Sequence, residues 1–204
     1  STTLRYGENP HQSAQILTFS GLQHRNIANA DIIQGKELSY NNIVDADAAW
    51  ECIREFSEPA CVIVKHANPC GVAEASSAIE AYDLAFKTDP TSAFGGIIAF
   101  NQPVDDKTAK EINSRQFVEV VLAPSFSQGA LAAFAEKKNM RVLCVDLEQD
   151  NPYPGMIKKV SGGILIQSDD TFSVPKQDLH CVTKRKPSHA ELQDLMFAWT
   201  VAKF

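Results

Sequence analysis

Apolar positions along the chain fall into two alternating patterns, short β-branched runs and stretches at helical spacing. Ala14 to Phe19 carries enough apolar character for a short strand. Ala49, Trp50, Ile53 and Phe56 recur at helical spacing, which predicts a helix with Asp45 as N-cap, ending before Pro59. The run Ala60 to Lys65 reads as a buried strand, followed by a turn at Asn68-Pro69 and a helix from about Ala75 to Lys87. Asp89-Pro90 breaks that helix, and Phe94-Gly95-Gly96 leads into a strand at Ile97 to Phe100. Residues 106–114 read as helix, Val118 to Ala123 as strand, Gln128 to Lys138 as helix and Met140 to Val145 as strand. Strands alternating with helices imply a largely parallel sheet covered on both faces. Residues 146–160 form a polar, Pro-rich connection before a strand at Gly162 to Gln167. Ser168 to Pro187 reads as irregular. A last helix starts near Ser188, with Leu192, Leu195, Met196 and Trp199 on one face. Leu4 to Gln12 and Gln34 to Asn42 are polar, and both read as loops.

Composition narrows the function classes. A net charge of -6 with dispersed Lys and Arg argues against a nucleic-acid surface, which needs a basic stripe. Small anionic substrates stay open, since they need only a few local cations. No apolar run reaches the roughly 18 residues that span a bilayer, and no secretory signal pattern is visible. The five cysteines are widely spaced and include no C-x-x-C pair. They read as reduced thiols of a cytoplasmic protein, and a structural zinc site is disfavoured.

The sharpest chemical signal is Lys65-His66 at the end of a buried run. Open α/β sheets bind ligands outside the carboxyl ends of their strands. A histidine there suits a general base, and a neighbouring ammonium suits a developing oxyanion or a leaving group. A solvated strand terminus beside a hydrogen-bonded loop histidine fits the same position, and structural histidines outnumber catalytic ones. Arg5-Tyr6 suits a phosphate grip, or an ordinary exposed Arg beside a packed Tyr. Phe94-Gly95-Gly96 permits close backbone approach to a ligand, or simply turns into its strand. Asn41 and Asn42 offer amide contacts or serve a turn, and Lys137-Lys138-Asn139 usually marks a helix C-terminus. Neither a Walker loop nor a G-x-G-x-x-G fingerprint is present.

Five stretches together go further: Leu4-Arg5-Tyr6-Gly7-Glu8-Asn9-Pro10-His11-Gln12, Gln34-Gly35-Lys36 with Ser39-Tyr40-Asn41-Asn42, Lys65-His66-Ala67-Asn68-Pro69-Cys70-Gly71, Ser92-Ala93-Phe94-Gly95-Gly96, and Val182-Thr183-Lys184. In order and spacing they resemble the formyltransferase half of the bifunctional purine-biosynthesis enzyme, AICAR transformylase joined to IMP cyclohydrolase, of the bacterial type. The likeness covers almost the whole chain.

The resemblance implies transfer of a formyl group from 10-formyltetrahydrofolate to the 5-amino group of AICAR. It makes His66 the proton acceptor and Lys65 the group that stabilises the oxyanion or protonates the departing folate nitrogen. Arg5 and Tyr6 fall on the phosphate-gripping pair, and Asn41 and Gly95 on nucleotide contacts. Glu119 falls where some members carry a nucleotide-contacting Asp, and Lys138 on a lysine that reaches the phosphate across a homodimer interface. The implied fold is cytidine-deaminase-like, an α/β/α layer with a mixed, largely parallel sheet. The deaminases' paired zinc motif, H-x-E followed by P-C-x-x-C, is missing: no P-C-x-x-C occurs, and the one H-x-E, His189-Ala190-Glu191, stands near the end of the chain with no such partner after it, which suits a metal-independent transferase.

By the same resemblance residues 1–187 form a first subdomain and 188–204 a linking helix into a second half. That half carries most of the folate site and a monovalent-cation site. The bare chain is therefore expected to be nearly inactive, and the cyclohydrolase activity is not expected of it. A non-catalytic nucleotide-binding and dimerisation module is the alternative.

Overall fold

The computed structural model describes residues 1–148 and 155–204. It divides into two compact units, residues 1–150 with 203–204, and residues 151–202. In the first unit β1 (Thr2–Leu4) and β2 (Ala14–Ile16) pair as a small antiparallel hairpin around the loop that holds Arg5 and Tyr6. The main elements then follow in order. They are β3 (Asp31–Gln34), α1 (Tyr40–Ile53), β4 (Ala60–Lys65), β5 (Asn68–Glu74), α2 (Ala78–Thr88), α3 (Pro90–Ala93), β6 (Gly96–Phe100), α4 (Asp106–Arg115), β7 (Val118–Ala123), α5 (Gln128–Ala135) and β8 (Arg141–Cys144).

Six strands form one mixed sheet in the order β3-β8-β7-β6-β4-β5. Parallel pairing is confined to β6-β7-β8, and β3, β4 and β5 add antiparallel pairs on either side. Period-2 alternation sends Cys61, Ile63, Ile98, Phe100, Val121 and Val142 into one layer, with Tyr82 of α2, Ile112 of α4 and Phe134 of α5. The opposite parity buries Val62, Val64, Ile97, Ala99, Leu122 and Leu143, and the helix against that face of the strands is α1, through Ala46, Ala49, Trp50 and Ile53. The sheet is thus covered on both faces in an α/β/α layering. Full burial of the Val, Leu, Ile and Phe side chains among them stabilises by about 1.5–3 kcal/mol each.

Several boundaries differ from the sequence pattern. Ser39, not Asp45, caps α1. Its hydroxyl accepts from the Asn42 N–H at 3.1 Å, and the Asn42 amide oxygen accepts from the Ser39 N–H at 3.2 Å. This reciprocal capping box starts the helix early, so Asn41 and Asn42 are helical rather than in a loop. The turn expected at Asn68-Pro69 lies instead at His66-Ala67, and Asn68–Glu74 is an edge strand. Pro69 is tolerated there beside a bulge at Cys70, which leaves the ladder on an outer strand. Gly71 lets α2 come close, since a Cβ at that position would stand 2.2 Å from the Ala85 carbonyl oxygen. Lys137 and Lys138 follow the end of α5 rather than belonging to it.

The second unit holds the antiparallel hairpin β9 (Met156–Val160) and β10 (Gly163–Gln167), then α6 (His189–Val201) capped by Ser188. The connection expected at 146–160 falls partly on residues 149–154, which lie outside the described residues, and 156–160 is strand. Leu195 and Trp199 of α6 are more than half exposed. They line an apolar groove of about 1110 Å³ with Val182 and Thr183, all within this unit.

Candidate active site

Strand direction decides where the candidate residues meet. Because β4 runs antiparallel to β6, its carboxyl end at Lys65 lies beside the amino end of β6 at Gly96. The amino ends of β7 and β8 and the carboxyl end of β3 share that end of the sheet. The site therefore gathers at the amino ends of the parallel strands, opposite to the usual arrangement for an open α/β sheet. Of the candidate residues, Lys65, Gly95, Glu119 and the loop that carries Lys138 lie at that end of the sheet.

Lys65 donates from Nζ to the Phe94 carbonyl at 2.8 Å. Gly95 lies beneath that ammonium, since a Cβ there would come within 3.0 Å of Nζ, and its φ of +70 favours glycine independently. The Gly95 N–H donates to the Phe117 carbonyl at 2.7 Å. The exposed rings of Phe94 and Phe117 stand 5.7 Å apart, tilted by 44°. They line a concavity of about 570 Å³ with Lys137 and Lys138.

His66 is exposed at the tip of the β4–β5 hairpin. Lys65 pairs with Asn68, so His66 and Ala67 form a two-residue loop with φ values of 51 and 58. Primed hairpin turns of this type favour Asn-Gly, because left-handed backbone costs an L residue about 1–2 kcal/mol. Neither His66 nor Ala67 avoids that cost. Three contacts hold the turn: the Lys65–Asn68 pairing, the Asn68 side-chain amide donating to the His66 carbonyl at 2.8 Å, and the Ala67 N–H donating to Asp45 Oδ1 at 2.7 Å.

The start of α1 ties the remaining pieces together. Asn41 Nδ2 donates to the Glu8 carbonyl at 3.3 Å, which anchors the loop holding Arg5 and Tyr6. In that loop the Arg5 guanidinium stands 5.7 Å from the Tyr6 ring centre. Asn42 Nδ2 donates to Glu119 Oε2 at 2.9 Å. Glu119 is the extra residue of a bulge in β7, which turns its side chain toward the α1 face. Gln34 fixes the Lys138 loop, its side-chain amide lying 2.9, 3.1 and 3.2 Å from the carbonyls of Phe134, Lys137 and Met140.

Nearby, burial and the Asp89 carboxylate push the Cys70 thiol up, against an opposing pull from Lys65. Asp89 itself is held below the usual carboxylate range by its hydrogen bonds with Ser92. Among the described residues no group of three or more His, Cys, Asp or Glu side chains converges as a metal site would require. Asp45 and Gln34 are the residues that local sequence reasoning did not single out for the site. Both act through the backbone of distant segments, and although Gln34 opens the Gln34-Gly35-Lys36 motif, no local spacing shows which carbonyls or N–H groups they meet.

An α/β/α layer around a mixed six-stranded sheet, with an ammonium and a histidine on a strained turn at one strand end, defines the class, a layered α/β protein. The chain belongs to the AICARFT/IMPCHase bienzyme family of purine biosynthesis, whose sequence model matches residues 1–204.

Proposed function

We propose that this chain carries the nucleotide and proton-handling side of a formyl transfer from 10-formyltetrahydrofolate to the 5-amino group of AICAR, in a cytoplasmic homodimer. Membership of the family supports the reaction class. The observation that carries the assignment of roles is the placement of Lys65 over Gly95, next to a hairpin tip that presents His66.

The 5-amino group is a weak nucleophile because its lone pair is delocalised into the imidazole. His66 accepts its proton as nitrogen attacks the formyl carbon. The carbonyl π bond opens to an oxyanion, and Lys65 stabilises that charge. Collapse of the tetrahedral intermediate breaks the bond to the folate nitrogen, which leaves with a proton from Lys65 or from protonated His66. Arg5 and Tyr6 take the 5′-phosphate, with Lys138 of the second protomer completing the grip. Asn41, Gly95 and Glu119 contact the nucleoside portion.

Substituting His66→Ala in the gene-length enzyme lowers kcat by about 10²–10⁴-fold, the usual contribution of a positioned base, with AICAR affinity largely kept. Stopped assays of formyl transfer and calorimetry with AICAR measure the two quantities. Full turnover in that variant sinks the assignment. The exposed apolar face of α6 favours a second reading, a nucleotide-binding module whose purpose is dimerisation. Phosphate-dependent AICAR binding by the gene-length protein, without turnover, would select it.

A further inference from the structure

We infer that Asp45 is a positioning residue for His66, acting through the backbone of the hairpin turn and not through substrate. The inference rests on the formyl-transfer reading for its kinetic consequence and on geometry alone for its structural one. Asp45 lies in the second turn of α1, inside the helix, so its carboxylate is not spent on the cap that Ser39 provides. Its Oδ1 instead accepts the Ala67 N–H at 2.7 Å, across 22 residues of chain.

Two consecutive non-glycine residues with positive φ persist only when their surroundings over-determine them. The other two restraints on the turn are local to the hairpin itself. The Lys65–Asn68 pairing and the Asn68 side-chain bond both move with β4 and β5. Asp45 is the contact that refers the turn to an outside element. That element is the one whose Asn41 and Asn42 hold the Arg5-Tyr6 loop and Glu119. Asn41 and Asp45 are four residues apart and so share a helix face. One rigid helix therefore sets the spacing between the phosphate-gripping loop and the histidine. Loss of the Asp45 acceptor frees the Ala67 N–H, and the His66 Cα–Cβ direction loses its outside reference.

The test compares Asp45→Ala and Asp45→Asn in the gene-length enzyme, since Asn keeps an oxygen acceptor. Hydrogen exchange at the Ala67 amide reads the clamp directly, and kcat and KM for AICAR read its consequence. Asp45→Ala is expected to speed Ala67 exchange by at least tenfold relative to neighbouring β4 amides. It is expected to lower kcat by about tenfold to a hundredfold with KM within threefold, and Asp45→Asn restores both to within threefold of wild type. Unchanged Ala67 exchange in Asp45→Ala overturns the inference. So does Asp45→Asn that is as impaired as Asp45→Ala, or a loss expressed wholly in KM. If wild type transfers no formyl group while Ala67 exchange responds as expected, the functional reading fails and the clamp stands.

Discussion

At the scale of single residues, the consequential surprise is backbone conformation. A buried run ending in Lys65-His66 marks a strand terminus, and that much is readable because a short run rich in β-branched residues and flanked by Pro59 and Pro69 favours strand over helix. The left-handed pair at His66-Ala67 is not readable, because neither residue carries the Asn-Gly signature of a primed turn. Tertiary hydrogen bonds impose the conformation against local preference. Ala67→Gly relieves strain of about 1 kcal/mol or more, against an unfolded-state entropy cost of about 0.4–1 kcal/mol. The glycine variant is expected to be as stable as wild type or slightly more so, while Ala67→Val loses roughly 1–2 kcal/mol because a β-branched residue fits that region worst. Urea denaturation of both variants checks this, and a glycine variant markedly less stable than wild type would contradict the strain.

At the scale of elements, legibility follows burial. The central strands β4 and β7 match the expected Ala60 to Lys65 and Val118 to Ala123, as fully covered strands are continuous apolar runs. Edge strands β3 and β5 escape that signature, since Asp31 opens one and Pro69, Cys70 and Gly71 interrupt the other. The β3–β8 edge is closed by Arg25. Its backbone N–H donates to Asp146 Oδ2 at 2.8 Å and its Nη2 to Asp146 Oδ1 at 2.6 Å. The Arg25 guanidinium holds the Asp146 carboxyl below its ordinary value. A depressed carboxylate contributes stability that is present above the ordinary pKa and lost as pH falls through the folded one. Wild type should therefore lose stability below about pH 4 more steeply than Asp146→Asn, with the two curves parallel above pH 6. Partial exposure of both side chains keeps the difference modest. Urea midpoints measured from pH 2 to pH 7 give the two slopes, and identical slopes would remove the ion pair from the account.

At the scale of the whole molecule, thiol reactivity reports how tightly the first unit is closed. Cys52 and Cys61 are fully buried, and burial pushes the Cys52 thiol up to about 12. Cys181 of the second unit is exposed. A thiol-exchange reagent at pH 8 is expected to modify Cys181 quickly and to reach Cys52 and Cys61 only at the rate of opening, with denaturant releasing both. Rapid modification of all five cysteines would show that the layers around the sheet are not closed. No helix among the described residues is long and apolar enough to cross a membrane.

What the chain's order of residues determined by itself was the α/β alternation, the central strands, and the family to which its motifs point. Each of these is a local signal, a run, a spacing or a short motif. Only the tertiary structure decided strand direction, and with it the end of the sheet at which Lys65, Gly95, Glu119 and the Lys138 loop meet. It alone decided that Asp45 leaves the cap to Ser39 and holds the turn at Ala67. The reason is physical. Pairing direction and long-range hydrogen bonds are settled by competition among distant segments for the same partners, and no window of sequence contains both sides of that competition.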